Sequence, residues 1–231
     1  KLIYMTAYFQ TPTGVSYSLE KKRRLLELAE QYGAYIIEED DYYDFHYGAE
    51  PLVSLKALDY KNRVIYIKSF SKILMPGLRM GLIVLPKKIR QAVMEAKYTT
   101  DHSSSGFMQR AMEYYLRENG WETHAAQMRQ YGGAKYRRAL SAARKYLGGL
   151  ARYGKPEGGV SLWLELPEGV SAEGFCGKML EKNVVLTPGS QYEISGEDDR
   201  HVRLSFVGLS DDKIDVGMKR MGDMLREIVK G

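Results

Sequence analysis

The sequence predicts an α/β fold: a largely parallel sheet layered with helices comes first, then a long helix, then a smaller α+β domain. Three observations carry this. Apolar runs of strand length alternate with helix-period segments over the first third of the chain. From Gly106 to Leu147 the pattern is helical throughout, with a break near Gly120. After Gly148-Gly149 it changes to short strands with a helix between them, and a last helix closes the chain. With 231 residues and 44% hydrophobic content, the chain can bury the core of one large or two modest domains. The expected division is 1–118, a connecting helix at 119–148, and 149–231.

Leu2 to Ala7 reads as a buried first strand, followed by the turn Gln10-Thr11-Pro12-Thr13-Gly14. Ser18 is placed to cap a helix running to about Gln31, with Leu25, Leu26, Leu28 and Ala29 inward and Gly33 as its stop. Tyr35-Ile36-Ile37 is the second strand and leads into Glu38-Glu39-Asp40-Asp41, where open α/β sheets place their ligands. Val64 to Ile67 and Met80 to Leu85 are the next two, and Pro86 begins a helix reaching Ala96. Glu122 to Tyr146 fits one long helix with Ala125, Met128, Tyr131, Ala134 and Leu140 along a stripe. Ser161 to Leu166, Val184 to Leu186 and Val202 to Phe206 read as strands, with a helix over Ala172 to Lys182. The final helix starts at Ser210, has Asp211 and Asp212 in its first turn, and turns Ile214, Met218, Met221, Leu225 and Ile228 inward.

Composition narrows the function classes. The net charge of +5 comes from 34 basic and 29 acidic residues scattered along the chain, and Lys21-Lys22-Arg23-Arg24 reads as a solvated helix face rather than a nucleic-acid patch. No stretch is long and apolar enough to span a bilayer, and no signal peptide is recognisable. Cys176 is the sole cysteine, which excludes an intrachain disulfide and suits a cytoplasmic location. His46, His102, His124 and His201 are too widely spaced to suggest a zinc site. The chain opens on Lys1 and enters a strand at once, as a piece of a longer protein would.

One motif carries chemistry on its face. Lys72 lies between Ser69, Ser71 and Arg79 on the turn leaving a β-branched strand. A lysine fixed there can form a Schiff base with a carbonyl cofactor, while hydroxyl and guanidinium donors hold a phosphate ester. In isolation, a surface lysine beside a Ser-rich turn explains the same residues.

Taken in order, Pro12-Thr13-Gly14, Glu39-Asp40-Asp41-Tyr42-Tyr43, Ser69-Phe70-Ser71-Lys72 with Pro76-Gly77-Leu78-Arg79, and Val202-Arg203-Leu204-Ser205-Phe206 resemble the class I/II aminotransferases of fold type I, which use pyridoxal 5'-phosphate (PLP). Gly158 to Leu164 and Leu186 to Ser190 resemble the small-domain strand and turn of that family. The resemblance implies that the chain is the C-terminal portion of such a protein: part of the large PLP-binding domain, the connecting helix and the small domain. It implies amino-group transfer between an amino acid and a 2-oxo acid through a Lys72 aldimine, with Lys72 also moving the proton between Cα and C4′. Asp40 would face the pyridine nitrogen and Tyr43 the ring's phenolate oxygen, with Asp41 and Tyr42 as the competing assignments. Ser69, Ser71 and Arg79 would bind the phosphate, and Arg203 the substrate α-carboxylate. Arg203 beside Asp199 also reads as an ordinary ion pair. The implied assembly is a homodimer.

The pattern departs in one place: Thr11 stands where most members have an asparagine that donates to the phenolate oxygen. Phe9 to Gly14 with Pro51 to Asp59 looks closest to the aminotransferase-like domain of MocR/GntR-type transcription regulators. This makes a sensor of PLP or an amino compound the alternative to an enzyme, with DNA reached only through a domain absent from this chain. Because the family's early strands, Gly-rich turn and ring-stacking aromatic precede the first motif, the fragment is expected to bind PLP weakly, transaminate poorly and expose a sheet edge that favours self-association.

Overall fold

The computed structural model describes residues 1–101, 103–118 and 120–230; His102, one of the four histidines weighed above, lies outside them. The chain forms two compact units. The first comprises Lys1–Tyr8, Ser16–Asp44 and Gly48–Arg129; the second comprises Phe9–Val15, Phe45–Tyr47 and Gln130–Gly231.

The first unit is a four-stranded sheet in the order β1 (Leu2–Thr6), β2 (Tyr35–Asp40), β3 (Val64–Ser69), β4 (Gly81–Val84), with β1, β2 and β3 parallel and β4 antiparallel. Helix α1 (Leu19–Gln31) joins β1 to β2: Ser18 accepts from the Lys21 N–H, and Gly33 leaves the helix at φ +63°. The short α2 (Leu55–Leu58) precedes β3, and α3 (Arg90–Asp101) and α4 (Gly106–Arg117) follow β4. The first residues of α5 (Gly120–Leu147) count with this unit and the rest with the second.

Several expectations change here. β1 is an edge strand, not a buried one: Met5 is buried, but Leu2 and Tyr4 are about two-thirds exposed. In α1 only Ala29 of the four expected residues is fully buried, and it is joined by Lys22, whose ammonium donates to the Val53 carbonyl at 3.0 Å and sits 3.8 Å over the Tyr8 ring. β2 does not stop before the acids. It runs to Asp40 with Ile36, Glu38 and Asp40 buried in strict alternation, because the Glu38 carboxylate receives the Leu55 and Lys56 N–H groups at 2.8 Å each, the open donors of the α2 N-terminus. Beyond Pro86 a single 3-10 turn precedes α3, which runs on to Asp101 rather than ending near Ala96.

The second unit is an antiparallel sheet in the order β5 (Arg152–Tyr153), β6 (Ser161–Glu165), β8 (His201–Ser205), β7 (Thr187–Pro188), with α6 (Ala172–Glu181) and α7 (Asp211–Lys230) packed against it. Leu162, Leu164, Val202, Leu204, Phe206 and Phe175 meet Ile214, Met218, Met221 and Leu225 of α7 in one apolar core, and half-buried Cys176 lies at its margin. The expected stripe of α5 is rotated: Ala134 and Tyr131 are exposed, while Gly132, Gly133, Ala139, Ala142 and Ala143 are buried. Gly132 is required there, since a Cβ would stand 2.4 Å from the Tyr47 hydroxyl. The expected strand at Val184–Leu186 forms instead at Thr187–Pro188. The Asn183 and Val184 N–H groups still bond back to α6 carbonyls, so pairing with β8 begins only at Thr187 opposite Arg203.

Candidate active site

The C-terminal ends of β2 and β3 carry Asp40 and Ser69, with Tyr43, Ser71 and Lys72 close behind them, whereas Arg79 stands on the turn into β4. Across their parallel register Asp40 is the Cα partner of Lys68, and Ser69 ends β3 opposite Gly81 of β4. Gly81 leaves room for this: a Cβ would stand 2.9 Å from the Lys68 carbonyl oxygen. Lys72 follows on an exposed turn whose flanks are fixed. Phe70 and Ile73 are buried on either side of it, the Leu74 N–H donates to the Phe70 carbonyl at 2.9 Å, and His124 Nε2 lies 2.7 Å from the Ile73 carbonyl. Trp121 meets the Phe70 ring edge-on with centroids 5.4 Å apart. The lysine therefore rides on an anchored backbone. The Ser69 hydroxyl accepts from the Ser71 N–H at 3.2 Å. Arg79 takes the left-handed backbone at φ +50°, closing the 3-10 turn Pro76–Leu78, with its exposed guanidinium 3.4 Å from the Pro76 carbonyl.

Asp40 is buried and its carboxylate is engaged on both oxygens. Oδ1 accepts the Tyr43 N–H at 3.0 Å, and Oδ2 accepts from the Tyr66 hydroxyl and from Lys68 Nζ at 3.4 Å. Lys68 also reaches Asp44 Oδ2 at 2.7 Å. Burial, then the bond to Asp40, drives the Tyr66 phenol well above its ordinary range and keeps it a neutral donor. Tyr43 is partly exposed, with its ring edge-on to Tyr8 at 5.7 Å. Asp41 differs from its neighbour: its buried Oδ1 has no hydrogen-bond partner among the described residues. Burial first, then repulsion from Glu39, raises its carboxyl above the usual range, and the nearby Lys72 and Lys68 charges oppose the rise.

Arg203 belongs to the second unit, on β8. Its Nε donates to the Ser161 hydroxyl at 3.2 Å and its Nη1 to the Tyr192 hydroxyl at 3.3 Å, while Asp199 accepts from Ser171 and the Glu173 N–H instead. Among the described residues its other N–H groups make no hydrogen bond, which leaves them to an anion. Sequence reasoning missed Lys68, Tyr66, Asp44, Trp121 and His124. A lysine inside a strand one position before the Ser-Phe-Ser-Lys run was the only local signal for any of them. Among the described residues no group of His, Cys, Asp or Glu is arranged to hold a metal, and no helix is long and apolar enough to cross a membrane.

Comparison with known proteins bears on the chain as a whole. The family described as aminotransferase class I and II matches residues 2–221. An aromatic-amino-acid aminotransferase 1 of Thermococcus litoralis is 31% identical over 230 residues, covering 100% of this chain and 55% of that protein. An uncharacterized HTH-type transcriptional regulator of Bacillus subtilis, YisV, is 28% identical over 99% of this chain and 47% of its own. Among solved structures, Pyrococcus horikoshii kynurenine aminotransferase, crystallised with PMP, superposes with a TM-score of 0.94 at 32% identity, over 100% of this chain and 57% of that one. The chain thus spans about half the length of the relatives it matches, with their mixed α/β fold.

Proposed function

The chain belongs to the class I and II aminotransferases, and on that premise we propose that it forms the lysine-bearing part of a PLP site that transfers an amino group between an amino acid and a 2-oxo acid. The supporting observation is the grouping at the ends of β2 and β3: an anchored lysine turn, two adjacent carboxylates and a hydroxyl-rich loop. The donor set fits the cofactor. An aldehyde requires an amine, a phosphate ester requires hydroxyl and guanidinium donors, and a cationic ring nitrogen requires a carboxylate. The buried, unpartnered Oδ1 of Asp41 is an acceptor that nothing in the described chain satisfies, as expected where a bound group supplies the donor.

In this reading Lys72 holds the cofactor and moves the proton at the substrate Cα. Ser69, Ser71 and Arg79 bind the phosphate. Asp40 takes the ring nitrogen: three donors fix its orientation, and one acceptor position on Oδ1 stays open. Asp41 is the competing assignment. Tyr43, with Tyr42 as alternative, donates to the phenolate oxygen, and Arg203 binds the substrate carboxylate with the N–H groups that Ser161 and Tyr192 leave free. Bound there, PLP supplies a carbonyl carbon that accepts the amino group and a ring that withdraws electrons from the bonds at Cα. The protein acts as a homodimer in the cytoplasm.

The likeness to YisV favours a second reading, in which the same site senses PLP or an amino compound for a DNA-binding domain outside this chain. Titration with PLP tests the site common to both readings. The expected result is a visible absorption band that Lys72→Ala abolishes; a band of equal affinity in Lys72→Ala overturns it. A winged helix-turn-helix encoded ahead of Lys1 selects the sensor, and turnover of an amino donor by the full-length protein selects the enzyme.

A further inference from the structure

This inference rests on the reading above, in which Asp40 faces the cofactor's ring nitrogen. That reading gives Lys68 no task, yet Lys68 is an enclosed cation in contact with both Asp40 and Asp44. Its side chain is 13% exposed, with its ammonium 2.7 Å from Asp44 and 3.4 Å from Asp40, and it lies 5.5 Å from the Trp121 ring centre and 5.8 Å from that of Tyr43. A charge enclosed in this way is a fixed part of the site, screened far less by salt than a surface lysine. It lies on the carboxylate that must stabilise a positive ring nitrogen. Asp44 draws it the other way and holds the shorter contact.

We propose that Lys68 is a positioning residue whose division between Asp44 and Asp40 sets how strongly Asp40 holds a protonated ring nitrogen. Removing the ammonium frees the Asp40 charge for the ring. Removing the Asp44 carboxylate leaves Lys68 with Asp40 alone and weakens that grip. The two substitutions act on the same carboxylate with opposite sign, which mere packing of Lys68 would not produce.

The test compares two cofactors by absorbance titration of this chain: PLP, and the analogue in which a carbon replaces the ring nitrogen. Phosphate and aldehyde are common to both, so the ratio of the analogue's Kd to that of PLP isolates the nitrogen. Lys68→Met is expected to raise this ratio about tenfold, the order of one partly screened charge interaction. Asp44→Asn should lower it, Lys68→Arg should leave it within about twofold of wild type because the charge is kept, and Asp40→Asn should bring it close to one. If Lys68→Met and Asp44→Asn leave the ratio unmoved while Asp40→Asn collapses it, Lys68 only packs there and the proposal is overturned with the reading intact. If Lys68→Met does not fold, an unchanged ratio in Asp44→Asn overturns the proposal on its own. A ratio insensitive to Asp40→Asn, or no PLP binding at all, removes the underlying reading instead.

Discussion

The two sheets differ in what they bury beside their apolar residues. Where β6 and β8 turn Leu162, Leu164, Val202 and Leu204 onto α7, the first sheet turns carboxylates inward beside Ile36 and Val64: Glu38 is met by the Leu55 and Lys56 N–H groups, and Asp40 with neighbouring Asp44 by Lys68. Hydrocarbon burial is forgiving of direction and contributes about 25 cal/mol per Å² of area removed from water. Buried carboxylates contribute little net stability and must find donors of the right geometry. The second unit thus rests on hydrocarbon packing, while the first also depends on buried carboxylates that keep their donors.

The largest expected effect tests the hydrocarbon side. Phe206→Ala empties a fully buried site in the second core and should cost about 3–5 kcal/mol in chemical denaturation; Ile83→Ala on β4, nearly half exposed, should cost under about 1 kcal/mol. Similar losses at the two positions would break the contrast. Next, Glu38→Ala strands the Leu55 and Lys56 N–H groups and should cost about 2–3 kcal/mol by the same measurement, through lost acceptors rather than lost packing. Gly81→Ala forces a methyl against the Lys68 carbonyl and should cost about 1–3 kcal/mol, with the β3–β4 pairing loosened in amide hydrogen exchange.

The smallest effect is one of pH. Asp41 has a carboxyl raised on folding, so the folded state binds the extra proton and stability falls as pH climbs from the ordinary carboxylate value through the raised one. Asp41→Asn should remove its share of that fall and raise the melting temperature at pH 7 by about 1–2 °C, the size of a change below 1 kcal/mol in a chain of this length. Glu38, also raised by burial, keeps the remainder of the slope. A melting temperature at pH 7 lowered by the substitution would show that Asp41 has a stabilising partner.

The legible parts of the molecule were those governed by neighbours in sequence. Ser18 and Gly33 bound α1, and Ile214, Met218, Met221 and Leu225 face inward from α7, because caps and the 3.6-residue period act within a few positions. The turn bearing Lys72 was legible as a motif. Its support was not: the Asp44–Lys68 and Ile73–His124 contacts join residues 24 and 51 positions apart, and no local period brings such pairs together. The Glu38 burial escaped for the same reason, since a strand pattern gives the side a residue faces and not the helix N-terminus waiting there. Val184–Leu186 misled because apolar, β-branched composition cannot reveal that the preceding helix still claims the Val184 N–H.

Cys176 offers an experimental handle. Burial raises its thiol to about 11, so roughly one in ten thousand is ionised at pH 7 and a thiol-specific label attacks it slowly in the closed state. Since the chain has no other cysteine, alkylation by a fluorescent maleimide becomes a stopwatch for the opening of α6, with no engineered site needed. Such a clock, run beside cofactor titration, distinguishes a ligand that stiffens only the lysine-bearing unit from one that also quiets the second.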